Sequence, residues 1–154
     1  MSRLIKLGCA VADVYHRYHD VHGTLFGTSV LRRILSVFSH REEHHHAALV
    51  HTLVELQTEL TALETEIGDP TDDIMVTGAD RELRNSLLEY SRHLGRAVES
   101  LAGMCKSLER DEIAYRKLRA DGRSQFTADK MKYDQLLSEL ERLGTRLERQ
   151  FENY

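Results

Sequence analysis

The chain has 154 residues, a formal net charge of −4, 41% hydrophobic residues and 30% charged residues. That length suits one domain with its own core, and the composition excludes wholesale disorder. A single proline, Pro70, nine glycines and no tryptophan leave too few turn residues for an all-β sandwich or barrel. Mild acidity argues against a nucleic-acid binder, which carries a basic balance.

Two cysteines, Cys9 and Cys105, cannot build a disulfide framework or a four-thiolate zinc site, and read as free thiols in a reducing compartment. No apolar run approaches the roughly 18 residues of a membrane span. The expectation is a soluble, cytoplasmic chain.

Apolar residues recur at heptad-like steps of three and four along most of the chain. The first seam is Leu4, Leu7, Val11, Val14, Tyr18, Val21 and Leu25, with Gly23 and Gly27 bracketing an expected break. The second runs Leu49, Leu53, Leu56, Leu60, Leu63 and Ile67, preceded by Leu31, Ile34, Leu35 and Phe38. Gly68-Asp69-Pro70 stops it, because glycine caps a helix and proline cannot continue one. The third seam is Leu83, Leu87, Tyr90, Leu94, Val98, Leu101, Cys105 and Leu108, then Tyr115 and Leu118, with a reversal expected at Gly122 and Ser124. The last carries Tyr133, Leu137, Leu140, Leu147, Phe151 and Tyr154, with a gap at Gly144.

These seams predict one all-α domain over 1–154, with helices near 3–22, 29–67, 80–121 and 125–154. A helix of about 40 residues spans about 60 Å, twice the diameter of a small domain. The expected architecture is therefore an elongated antiparallel bundle of three long, coiled-coil-like helices plus a shorter N-terminal one. Such a chain leaves apolar surface that a second copy can cover, so a homodimer is expected.

Nine histidines are present, five of them between His40 and His51. Within HREEHHHAALVH, Glu42 with His45 and Glu43 with His46 have the E-x-x-H spacing that puts a carboxylate and an imidazole on one helical face, as di-iron bundles require. Extending the Leu49–Ile67 seam backwards puts His46 and Glu42 where leucine would stand. A zinc or iron site on Glu42, Glu43, His45 and His46 is one reading. A polar patch is the other, since no second E-x-x-H follows on another helix. His16, His19 and His22 recur at steps of three beside the first seam; adjacent members offer neighbouring imidazoles to a transition ion, and the other reading is surface residues flanking the seam. If they meet the second histidine group at one end of the bundle, pH sensing becomes available.

No nucleophile elbow, phosphate-cradling glycine loop or Cys–His arrangement is present. The chain is expected to be no enzyme and to need no cofactor, with metal chemistry as the one alternative route to activity. Charge is unevenly spread. Residues 1–77 hold six basic and eleven acidic side chains, residues 78–154 fifteen and fourteen. Arg116, Lys117, Arg119, Arg123, Lys130 and Lys132 outnumber Asp121 and Asp129 around the turn before the last helix. This basic tip suits an anionic membrane surface or a protein partner, each basic residue near a membrane contributing about 1 kcal/mol.

Two segments, LLEYSRHLGRAVESL (87–101) and TADKMKYDQLLSELERLGTRLERQFENY (127–154), resemble the second and third helices of BAR-type domains of the sorting-nexin kind. HAALVHTLVELQTEL (46–60) is a looser match to the first. The resemblance covers about 70 residues and has no diagnostic motif. It implies a crescent-shaped homodimer that binds curved, phosphoinositide-bearing membranes, with the same six basic residues at its tip. The chain departs from the family in having no phosphoinositide-binding domain before the bundle and a short third helix. Function is thus expected to be non-enzymatic: a dimeric scaffold in trafficking, at a membrane or on a protein partner. A metal-binding bundle or a subunit of a larger helical complex are the alternatives.

Overall fold

The computed structural model describes residues 2–26, 42–69, 77–114 and 121–154, with side chains over 2–26, 47–69, 77–106 and 128–154. Among them are four helices and no strand: α1 (Arg3–Phe26), α2 (Glu42–Gly68), α3 (Gly78–Ala114) and α4 (Asp121–Glu152). No helix among the described residues is long and apolar enough to cross a membrane.

The α1 seam is buried from Leu4 through Leu7, Val11, Val14 and Tyr18 to Val21. The break expected at Gly23 does not occur, and α1 runs on to Phe26. Glycine in a helix interior costs about 1 kcal/mol relative to alanine. Packing of Leu25 and Phe26 against the core offsets that cost. In α2, Leu53, Leu56, Leu60 and Ile67 are buried. Its start is Glu42, and the part of the expected helix over 29–41 lies outside the described residues.

Thr77 caps α3. Its hydroxyl accepts from the Asp80 amide at 3.2 Å, and its own amide donates to Asp80 Oδ2 at 2.9 Å. This reciprocal pair satisfies two N–H groups that a helix start leaves without intrahelical partners. α3 packs mainly against α2 and α4, and more lightly against α1. Its buried face is correspondingly broad, taking in Ser86, Ser91, Ala97 and Ala102 beside the leucine seam. Small side chains let neighbouring backbones come close, and Ser91 is satisfied by donating to the Leu87 carbonyl at 2.8 Å.

Gly122 and Ser124, where a reversal is expected, both lie inside α4, which begins at Asp121. The fourth seam buries Tyr133, Leu140, Leu143 and Leu147. Gly144 leaves a gap there because the Tyr90 ring fills it, 3.3 Å from where a β-carbon would stand. Tyr154 departs from the expected seam. The helix ends at Glu152, and Tyr154 is 44% exposed, its hydroxyl meeting Ser2 Oγ and donating to Asp80 Oδ1.

Cross-helix contacts fix the directions. Arg3–Glu66 and Arg17–Glu59 set α1 against α2 in opposite senses. Glu82–Gln150 and Glu89–Arg146 do the same for α3 and α4, and Gly8–Phe151 with Tyr18–Tyr133 for α1 and α4. The end of α1, the start of α2, the end of α3 and the start of α4 therefore share one end of the bundle.

Candidate functional site

At that shared end a polar chain passes through the apolar core. Tyr18, His22 and Phe26 stand at successive i, i+4 positions on α1, so their side chains form one stripe. On α4, Lys130, Tyr133 and Asp134 occupy one face in the same way. Tyr18 and Tyr133, both almost fully buried, share a hydrogen bond between their hydroxyls. The Tyr133 hydroxyl also meets His22 Nδ1 at 2.8 Å. The His22 ring is half-buried, with ring centroids 5.1 Å from Phe26 and 5.7 Å from Tyr133. Lys130 Nζ lies 4.8 Å from the Phe26 ring centroid, where a cation is attracted to the aromatic face, and pairs with Asp134 at 2.5 Å.

Burial sets the acid–base character of this cluster. Desolvation pushes the Tyr18 phenol up to about 12 and raises Tyr133 as well, so both stay protonated. Burial, with His19 and Lys130 nearby, lowers His22 below the ordinary imidazole value. Burial pushes the Cys105 thiol up to about 11.

His16, His19 and His22 share one spacing in the sequence but not one environment. His16 and His19 are exposed, whereas His22 turns inward. The missed signal was Tyr18-His22-Phe26 at steps of four, an aromatic stripe beside the leucine-type seam. Of the basic tip, Lys130 is tied to Asp134 and Phe26, and Lys132 is exposed. Arg116, Lys117 and Arg119 lie outside the described residues, and Arg123 is described in backbone only. Glu42, Glu43, His45 and His46 fall in the first turns of α2, and their side chains lie outside the described ones.

A second feature is the outward face of α2. Ala47, His51, Val54, Thr58, Thr61 and Thr65 are exposed and follow one another at steps of three and four. Thr58, Thr61 and Thr65 each donate a hydroxyl to the carbonyl four residues back, at 2.9–3.0 Å. Their oxygens are thereby turned in along the backbone. Glu59 and Glu66 are drawn sideways to Arg17 and Arg3, and Glu55 pairs with His51 at 3.5 Å. The result is a ridge of low charge. The exposed face of α4 is different, carrying Lys132, Asp134, Glu141, Arg142, Arg146, Glu148, Arg149 and Glu152.

A third feature is an open groove between α3 and α4, of about 600 Å³, flanked by Glu82, Arg142, Arg146 and Arg149. Its cations are partly neutralised, since Arg142 is held by Glu139 at 2.5 Å and Arg146 by Glu89 at 3.7 Å. No family model, curated protein or solved structure matches this chain.

Proposed function

We propose that the chain is a non-enzymatic, cytoplasmic helical scaffold that pairs with a second copy of itself along the outward face of α2. The observation that carries this reading is the low-charge ridge from Ala47 to Thr65, against the densely charged exposed face of α4. An antiparallel pair with its two-fold axis between Val54 and Thr58 sets Val54 of one copy against Thr58 of the other. The same register sets Ala47 against Thr65 and His51 against Thr61. The contact is then about 30 Å long. Small side chains along it permit helix axes to approach to about 8 Å. The expected assembly is an elongated, coiled-coil-like antiparallel bundle.

Light scattering after size exclusion tests it. A dimer is expected for the native chain, and a monomer of unchanged helical content for Val54→Glu combined with Ala62→Glu. A native monomer at 100 µM, or dimers persisting in the double variant, overturns the reading.

A second reading takes the basic end to an anionic membrane. It is favoured by the exposed Lys132, by the excess of cations over 116–132 and by the resemblance to BAR-type helices. Sedimentation with anionic liposomes at low and high salt tests it, beside a chain with Arg116, Lys117, Arg119 and Arg123 changed to glutamate. Salt-sensitive binding lost in the variant supports membrane contact. No binding by the native chain removes it.

A further inference from the structure

The polar chain Tyr18–Tyr133–His22 has a direction, and only one direction satisfies every member. Each phenol owns one proton. With His22 neutral and Nδ1 bare, Tyr18 donates to Tyr133 and Tyr133 donates to Nδ1. Once Nδ1 carries a proton it can only donate, so Tyr133 accepts from His22 and has no ring nitrogen left to donate to. The two phenols can make only one hydrogen bond between them, so one of their two protons is left with no acceptor in that pair. Tyr18 is 1% exposed, so water does not readily replace the lost partner, and an unmet buried polar group is costly.

The surrounding charges give the imidazolium little help. On its own helix His22 faces His19, ring to ring at 6.3 Å. From α4 it feels Lys130, which disfavours the charge, and Asp134, which favours it. Asp134 is already engaged by Lys130 at 2.5 Å. From α3 comes the buried, protonated Cys105, which acts on Tyr133. On α2, His51 and Glu55 are exposed and pair with each other.

We infer that His22, Tyr133 and Tyr18 form a pH-operated latch in which protonation of His22 releases the last turn of α1, His22–Phe26, from the start of α4. The proton is the ligand, and the element that moves is one helical turn carrying Phe26. The sign follows from linkage. A histidine whose value in the folded protein lies below its unfolded one contributes stability that is fully present above about pH 6.5, and that is lost as pH falls below it. The latch is closed at neutral pH and opens on mild acidification. Opening uncovers Phe26 and Tyr133 at the end of the bundle shared by the histidine-rich start of α2 and the cation-rich start of α4. The inference is independent of whether the chain dimerises through α2.

Hydrogen exchange on the full chain, expressed as protection factors at pH 7.5 and pH 5.0, tests it alongside an NMR titration of the histidine rings. His22 should titrate below the ordinary imidazole value of about 6.5. Protection at the amides of 22–26 and 130–134 should fall at least tenfold at pH 5.0, while that of Leu94–Leu101 in α3 holds. His22→Gln, which keeps an acceptor but cannot take up the proton, should retain protection at both pH values. The latch is overturned if His22 titrates at or above the ordinary imidazole value of about 6.5, or if the 22–26 amides are equally protected at both pH values. Equal loss in α3 also overturns it, because that is global acid unfolding. Where His22→Gln fails to fold, the native titration and exchange decide alone.

Discussion

The ring of Phe151, near the end of α4, lies directly over the backbone of Gly8 in α1, so that a β-carbon on Gly8 would stand 2.5 Å from the ring edge. Gly8→Ala therefore has to displace Phe151, and is expected to lower stability by roughly 1–3 kcal/mol, the usual cost of overpacking. Gly103 in α3 has nothing within 4 Å of the same position and is exposed. Gly103→Ala is expected to raise stability by about 0.5–1 kcal/mol, since alanine loses less backbone entropy in a helix. Urea unfolding followed by circular dichroism reads both, and the two substitutions should move the midpoint in opposite directions.

The Tyr18–Tyr133 pair predicts an asymmetry at neutral pH. Tyr133→Phe removes the one hydroxyl that serves both Tyr18 and His22, leaving a buried phenol unmet at a cost of about 1–3 kcal/mol. Tyr18→Phe leaves Tyr133 still bonded to His22 and should cost less. Equal losses in urea unfolding at pH 7.5 would count against the chain of donors described above.

The cap of α3 is the third test. Thr77→Ala removes the oxygen that accepts from the Asp80 amide and should cost about 1 kcal/mol, with Thr77→Ser close to native. Hydrogen bonds from the Thr77 side chain, then Tyr154, hold the Asp80 carboxyl below its ordinary value. A carboxyl lowered on folding contributes stability present above about pH 4, and that is lost as pH falls through the folded value. Tyr154→Phe should therefore flatten the acid limb of the stability curve, measured as melting temperature between pH 5 and pH 2.5.

The thiols should separate by burial. Cys9 is exposed, and Cys105 is buried with its thiol pushed up to about 11. Only the thiolate reacts. At pH 8 a soluble disulfide reagent should titrate one thiol per native chain, and both in denaturant. Cys9→Ser should abolish the native reaction.

The seam of α1 was legible position by position, because that helix presents one narrow stripe and its pattern has little else to encode. α3 was less so. Ser86, Ser91, Ala97 and Ala102 stand outside the heptad seam, yet all are buried, because contact with three helices widens the face beyond that seam. Gly144 looked like a defect and is the seat of the Tyr90 ring, a relation between residues far apart that no local pattern encodes. Tyr154 has seam spacing, but the helix stops two residues before it. At the candidate site the histidine triplet was visible and its division was not. Whether an imidazole points in or out there depends on a phenol 111 residues further along.

That sequence separation bears on biosynthesis. α1 is made before α4, and its Tyr18 must wait for Tyr133, 115 residues later. At about 5–20 residues per second, translation takes roughly 6–23 s to cover that distance. Throughout that interval the α4-facing side of α1 is an open apolar edge on a nascent chain, a natural handle for chaperones that hold unfinished polypeptides.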